Sequence, residues 1–311
     1  MKIAAKVFLL LPIAFSCFSG EPAFVYGKDS IVSFPENSVA DFNPCRDGER
    51  LVLILNGDSG EKASRLSNTV RVLGLTGGSG LIATKTGSQF WEEIDPLSER
   101  GENASAAELM NKTLCGDNLQ RCGILEIRSD SGSAKPLVCA YGGDIADNYS
   151  ASDSRGRVGL VLDSPNLSQT ISGENSYSGD TKLLSGTLRM NVSSYKGRIV
   201  LRGETLEIIS ENPKLYNLDW SSGGFKIDLK KHAPITLKGR VNISALPQAA
   251  DAFYFENVSE GEFCIFKYSK NISPSFLNFS GQIIDCASNG KIYTGAFNAD
   301  ESSLKIVFKK K

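Results

Sequence analysis

The sequence predicts an all-β chain and, within that class, a β-solenoid. Three observations carry the expectation. Segments of strand length follow one another, separated by clusters of Gly, Asn, Ser, Asp and Pro, the residues that make turns. Only one segment, Ala104 to Leu114, has the composition of a helix. A glycine-anchored apolar piece recurs: Thr187-Leu188 after Gly186, Thr205-Leu206 after Gly203, and Phe225 to Ile227 after Gly223-Gly224. Short strands without intervening helices fit a sandwich, a barrel or a β-helix. A repeat near 20 residues favours the solenoid.

The N-terminus reads as an export leader over residues 1–20. Lys2 and Lys6 precede the apolar run Val7 to Phe15, and small residues follow at Ser16, Ser19 and Gly20. Lipidation at Cys17 is the other reading, opposed by the bulky Phe15. No later apolar stretch approaches the roughly 20 residues a membrane-crossing helix needs. The formal net charge is −1, so there is no electrostatic case for a nucleic-acid partner.

Residues 21–156 read as an N-terminal β-rich region, irregular and disulfide-bearing. Arg50 to Asn56 is a strand-length apolar run between Gly48 and Gly57. Val70 to Val72 and Leu81 to Ala83 flank the cluster Gly74, Gly77, Gly78 and Gly80, which reads as a tight turn between two strands. A phosphate loop would need a Lys-Ser/Thr ending and a following helix; here Thr84-Lys85-Thr86 runs into Gly87. Residues 95–123 read as a loop or short-helix insertion.

From Gly123 the strand vocabulary returns. Ile124–Ile127, Pro136–Ala140, Arg157–Leu162, Leu183–Val192, Arg198–Leu201, Thr205–Ile209, Phe225–Leu229, Ile235–Lys238, Val241–Ser244, Glu262–Tyr268, Gln282–Asp285 and Ser303–Phe308 all have strand length. In one stretch Leu201, Leu206 and Ile208 fit one face while Arg202, Glu204 and Glu207 fit the other. Residues 157–311 are therefore assigned to a solenoid region with a C-terminal cap.

Beyond Cys17 there are six cysteines: Cys45, Cys115, Cys122, Cys139, Cys264 and Cys286. An even number behind an export leader suggests disulfides, and fifteen pairings are open. Cys264 with Cys286, and Cys115 with Cys122, are the local possibilities. The Cys115–Cys122 spacing is too wide for a zinc knuckle and no histidine is near.

The segment from 171 to 188 is the most specific. Gly173, Asn175, Tyr177, Gly179, Thr181, Gly186, Thr187 and Leu188 follow in order, with Ser176 between Asn175 and Tyr177. Gly and Asn suit positions of unusual dihedral, and Leu183, Leu184 and Leu188 would supply a core. This stretch resembles the passenger-associated transport repeat, also called the autotransporter-associated β-strand repeat. Gly74-Leu75-Thr76-Gly77 and Tyr293-Thr294-Gly295 through Leu304-Lys305-Ile306 are similar to it in a looser way. The resemblance implies a right-handed parallel β-helix on an exported bacterial protein, often at the cell surface. The family's C-terminal membrane barrel has no counterpart in the roughly 120 residues after the repeat, so a passenger-like portion without self-transport is expected.

Candidate chemistry is sparse. His232, the one histidine, lies in Lys230-Lys231-His232-Ala233-Pro234, which reads as a solvated turn, and no Gly-x-Ser-x-Gly elbow accompanies it. Asp144, Asp147 and Asp153, near Arg155 and Arg157, form the densest acidic cluster. They read as a surface loop or as a weak calcium site, since Ca²⁺ takes spaced carboxylates. Nine Asn-x-Ser/Thr triplets occur, at Asn103, Asn111, Asn148, Asn166, Asn191, Asn242, Asn257, Asn271 and Asn278. They would be glycan acceptors in a eukaryotic secreted protein; with a bacterial repeat they reflect turn vocabulary. Trp91 and Trp220 read as core or cap residues rather than a sugar-stacking surface.

The expectation is an exported, non-catalytic surface or secreted module for adhesion or another interaction, with glycans or proteins of a host or cell surface as partners. It has no cofactor and no transmembrane segment in the mature chain. A polysaccharide-processing β-helix hydrolase or lyase and a cell-envelope structural protein are the alternatives. Carboxylates aligned on one face within about 5 to 10 Å would favour the enzyme.

Overall fold

The computed structural model describes residues 23–26, 30–33, 38–42, 51–55, 69–84, 122–129, 136–148, 157–244 and 248–311. These residues are mostly strand, and most strand pairs are parallel. The all-β expectation holds for them. The expected helix from Ala104 to Leu114, the leader and Trp91 lie outside the described residues.

Parallel pairing arranges the strands in columns. The first column runs Thr69–Val72, Cys122–Arg128, the first half of Arg157–Ile171, the first half of Thr181–Met190, Arg198–Leu201, Asn217–Trp220 and Val241–Ile243. The second holds Leu137–Tyr141, the second halves of the same two long strands, Thr205–Ile208, Gly224–Asp228 and Phe253–Glu256. Its lower end continues through the Gly77–Tyr141 bridge to Gly74–Thr76 and Val39–Asp41. A shorter third column stacks Leu51–Leu55, Leu81–Thr84 and Asp144–Asn148, and an Ile145–Asn175 bridge extends it.

Val70–Thr84, the described part of the Val70–Lys85 stretch, therefore does not form a strand–turn–strand unit. Its glycines mark corners at which the chain leaves one column for another, and Thr69–Val72, Gly74–Thr76 and Leu81–Thr84 each belong to a different column. Likewise the segment around Asp144 is not a loop throughout: Asp144–Asn148 is a strand.

Alternation explains the core. In Thr181–Met190, Leu183, Leu188 and Met190 are buried while Thr187 and Arg189 are half-buried on the outer side. Leu160, Leu162, Leu201, Leu206, Leu218 and Trp220 continue the interior. Removing such side chains from water at roughly 25 cal/mol per Å² is what drives the strands together.

Parallel pairing ends at Gly261–Lys267, whose other neighbour is antiparallel. From there the order Gly261–Lys267, Ser303–Lys310, Lys291–Ala299, Ile283–Ser288 makes an antiparallel sheet. The loosely repeat-like stretch from Tyr293 to Ile306 is thus part of local hairpins. One face of this sheet packs on a cluster of rings, among them Phe253, Phe266, Phe276, Phe279 and Phe297. Trp220, the last aromatic of the first column, joins it against Phe225 and Phe279.

The local Cys264–Cys286 disulfide is not formed: both are free thiols, as is buried Cys139. Cys264 lies on Gly261–Lys267 and Cys286 on Ile283–Ser288, with two strands between them. Three strand spacings come to roughly 14 Å, twice the Cα separation a disulfide tolerates. Cys45 and Cys115 lie outside the described residues, and Cys122 opens a strand of the first column.

Candidate functional site

The residues of the 171–188 motif hold corners and core. A Cβ on Gly173 would lie 1.9 Å from the Gly143 carbonyl oxygen. One on Gly179 would lie 2.1 Å from the Val158 oxygen, and one on Gly186 2.3 Å from the Ser164 oxygen. Backbone crosses backbone at these points, so only glycine fits. Asn175 is buried; its Nδ2 donates to the Asn191 carbonyl at 2.7 Å and to the Gly173 carbonyl at 3.3 Å. Its Oδ1 has no partner among the described residues. Buried Tyr177 and Thr181 share a hydrogen bond of 2.6 Å between hydroxyls, and burial pushes the Tyr177 phenol well above its ordinary range. Leu188 fills the core between Gln169 and Leu206 in register.

Three aromatics repeat one local hydrogen bond that the sequence reading did not anticipate. Tyr141, Tyr195 and Trp220 each donate to the backbone carbonyl three residues ahead: Asp144 at 3.2 Å, Arg198 at 2.8 Å and Gly223 at 2.9 Å. Tyr195 packs on Tyr177 with centroids 4.8 Å apart. The available signal was an aromatic shortly followed by glycine, as in Tyr141-Gly142, Tyr195-Lys196-Gly197 and Trp220-Ser221-Ser222-Gly223.

The proposed calcium ligands are placed as follows. Asp144 accepts from the Glu174 N–H at 3.1 Å. Asp147 accepts from the N–H groups of Val158 and Ser178 through Oδ1 and from the Ser178 hydroxyl through Oδ2. These oxygens tie neighbouring segments of the chain together. Asp153 lies outside the described residues, and no group of three or more His, Cys, Asp or Glu among the described residues could hold a metal ion. His232 is half-buried rather than solvated. Its Nε2 lies 3.2 Å from the Cys264 carbonyl, and burial holds its pKa below the ordinary value.

The outer faces of the two long columns differ. On the first, Glu126, Val161, Lys182 and Val200 stand in one row and are nearly fully shielded. On the second, a row runs Thr170, Arg189, Glu207, Lys226, Tyr254. Arg189 contacts Glu207 through two nitrogens, at 2.9 and 3.1 Å. Lys226 Nζ lies 3.6 Å from Glu207 and 3.0 Å from Glu256. Beside it runs a row that starts at exposed Val138, continues through Ser168, Thr187 and Thr205, and ends at Gly224. Tyr254 is 44% exposed. Only Glu207 of the charged set stood out in the sequence, as a polar-face residue; the sign alternation at the repeat spacing was the unread signal.

No family model, curated protein or solved structure matches this chain. No helix of the described residues is long and apolar enough to cross a membrane.

Proposed function

We propose that the protein is an exported, non-catalytic interaction module and that its columns are the faces of a right-handed parallel β-helix of passenger type. The observation that carries the reading is the solvent-facing side of the second column. There a regular array of hydroxyls and paired charges is presented on strands held in register by a packed interior. Three parallel columns sharing one interior are what a solenoid requires, and such a fold offers an extended binding surface. The right-handed sense follows from the rule for crossovers between parallel strands. The leader-like N-terminus supports export.

The second reading, a polysaccharide-processing enzyme, is favoured by one observation. Both Glu207 and Glu256 touch Lys226, so their carboxylates lie within roughly 7 Å, inside the span of glycosidase pairs. Against it, Glu207 is engaged by Arg189 as well as Lys226. Incubation of the purified chain with whole cells and with cell-wall polysaccharides separates the two. The interaction reading expects retention on cells and no new reducing ends. Release of reducing ends that disappears in Glu256→Gln would replace it with the enzyme.

A further inference from the structure

The outer side of the second column has the features of a site for one ligand class. Its charged row is internally compensated: Arg189 is held by Glu207, and Lys226 lies between Glu207 and Glu256. A strongly charged ligand would have to displace these partners, so the face complements a neutral one. The adjoining row offers hydroxyls of Ser168, Thr187 and Thr205, one per strand, at the strand spacing of about 4.8 Å. Where the hydroxyl row ends, at Gly224, an aromatic ring takes the place of a side chain. A Cβ on Gly224 would meet Tyr254 Cε2 at 2.7 Å, so the ring folds over that glycine while remaining 44% exposed.

We propose that this face binds an extended neutral glycan, running across the strands, with one sugar stacked on Tyr254 and the following sugars hydrogen-bonded to the Thr205/Thr187 row and the Arg189–Glu207 pair. Sugars combine apolar ring faces with hydroxyls that both donate and accept. An amphipathic aromatic ring beside alternating donors and acceptors answers both properties. A protein partner would be expected to meet a cluster of apolar anchors, whereas the two large exposed apolar side chains of these rows, Val138 and Tyr254, stand on the first and last strands of the column with four strands between them. The inference rests on the interaction-module reading and gives it a ligand class.

The test is calorimetric titration of the full mature chain with neutral hexasaccharides of glucose, xylose and mannose, and with hexagalacturonate as the anionic probe. Binding of at least one neutral hexasaccharide is expected, with little dependence on salt. Tyr254→Ala should weaken it roughly tenfold at unchanged melting temperature. Tyr216→Ala, which removes another exposed ring outside these rows, should leave it intact. Absence of neutral-glycan binding, binding undiminished in Tyr254→Ala, or binding of hexagalacturonate alone would each overturn the proposal. Retention on whole cells keeps the two claims apart. If wild type and Tyr254→Ala are retained equally, the module reading stands and the glycan face falls. If a neutral hexasaccharide binds at this face and is cleaved, the face stands and the non-catalytic reading falls.

Discussion

The parallel columns and the C-terminal antiparallel sheet bury apolar side chains alike but connect their strands differently. In the columns strands pair in parallel with strands 18 residues or more away in sequence, as Thr187 with Thr205 and Thr205 with Gly224. In the sheet, strands such as Ile283–Ser288 and Lys291–Ala299 pair across a two-residue turn, Asn289-Gly290, both residues having positive φ. A column corner must therefore fit beneath the next turn of backbone, whereas a hairpin tip faces open solvent. Equal substitutions should then have unequal costs.

Glycine at a corner provides the largest contrast. Gly173→Ala drives a Cβ into the Gly143 carbonyl at 1.9 Å, whereas Gly290→Ala meets nothing within 4 Å and strains only a φ of 72°. The corner substitution is expected to cost about 3 kcal/mol and the hairpin one about 1 kcal/mol, read from urea midpoints at constant slope. Equal midpoints for the two variants would mean that corner crowding does not govern the columns.

Tyrosine hydroxyls distinguish the regions next. Tyr177→Phe leaves the buried Thr181 hydroxyl without the phenol that partners it, at an expected cost of about 1–2 kcal/mol. Tyr268 stacks on Phe276 with its hydroxyl buried and unpartnered among the described residues. Tyr268→Phe should be neutral or stabilising by up to about 1 kcal/mol, because it removes a desolvated polar group. A destabilised Tyr268→Phe would reveal a partner for that hydroxyl.

The same contrast decides what the sequence made legible. Column strands were readable because apolar alternation and a repeat near 20 residues are local patterns, and Thr187-Leu188, Thr205-Leu206 and Phe225 do stack in register. Which column each strand joins was not readable. That depends on pairings between residues far apart, such as Thr69 with Ile124, and the Val70–Lys85 glycines look the same whether they close a hairpin or turn a corner. Asp144–Asn148 was hidden because its polar residues serve as acceptors for Glu174, Val158 and Ser178, partners that only the fold supplies. In the antiparallel sheet, Lys291–Ala299 was missed although Asn289-Gly290 is a strong hairpin signal. The second column's outer face was legible only once register aligned Arg189, Glu207 and Lys226.

The smallest effect expected is a difference in response to acid. In the columns, burial raises the Asp180 pKa, and Arg198 only partly offsets it. A carboxyl with a raised folded-state pKa favours the folded state at low pH and loses that contribution as pH rises through the folded value. In the C-terminal region the signs reverse. His232 is held below its ordinary pKa by burial, so the unfolded chain takes up the proton first. Stability should fall as pH drops below about 6.5 and level off at the lower folded value. Asp300 is held down to about 2 by the N–H and hydroxyl groups of Ser302 and Ser303. Its contribution is complete above the unfolded value near about 3.9 and is lost as pH falls towards 2. Hydrogen exchange from pH 7 to 5, corrected for intrinsic rates, should show amides of Gly261–Lys267 losing protection while those of Thr181–Met190 keep theirs. His232→Gln should remove the difference. Parallel loss in both regions would mean that the sheet and the columns open as one unit, with the Cys264–His232 contact no weaker than the stack it adjoins.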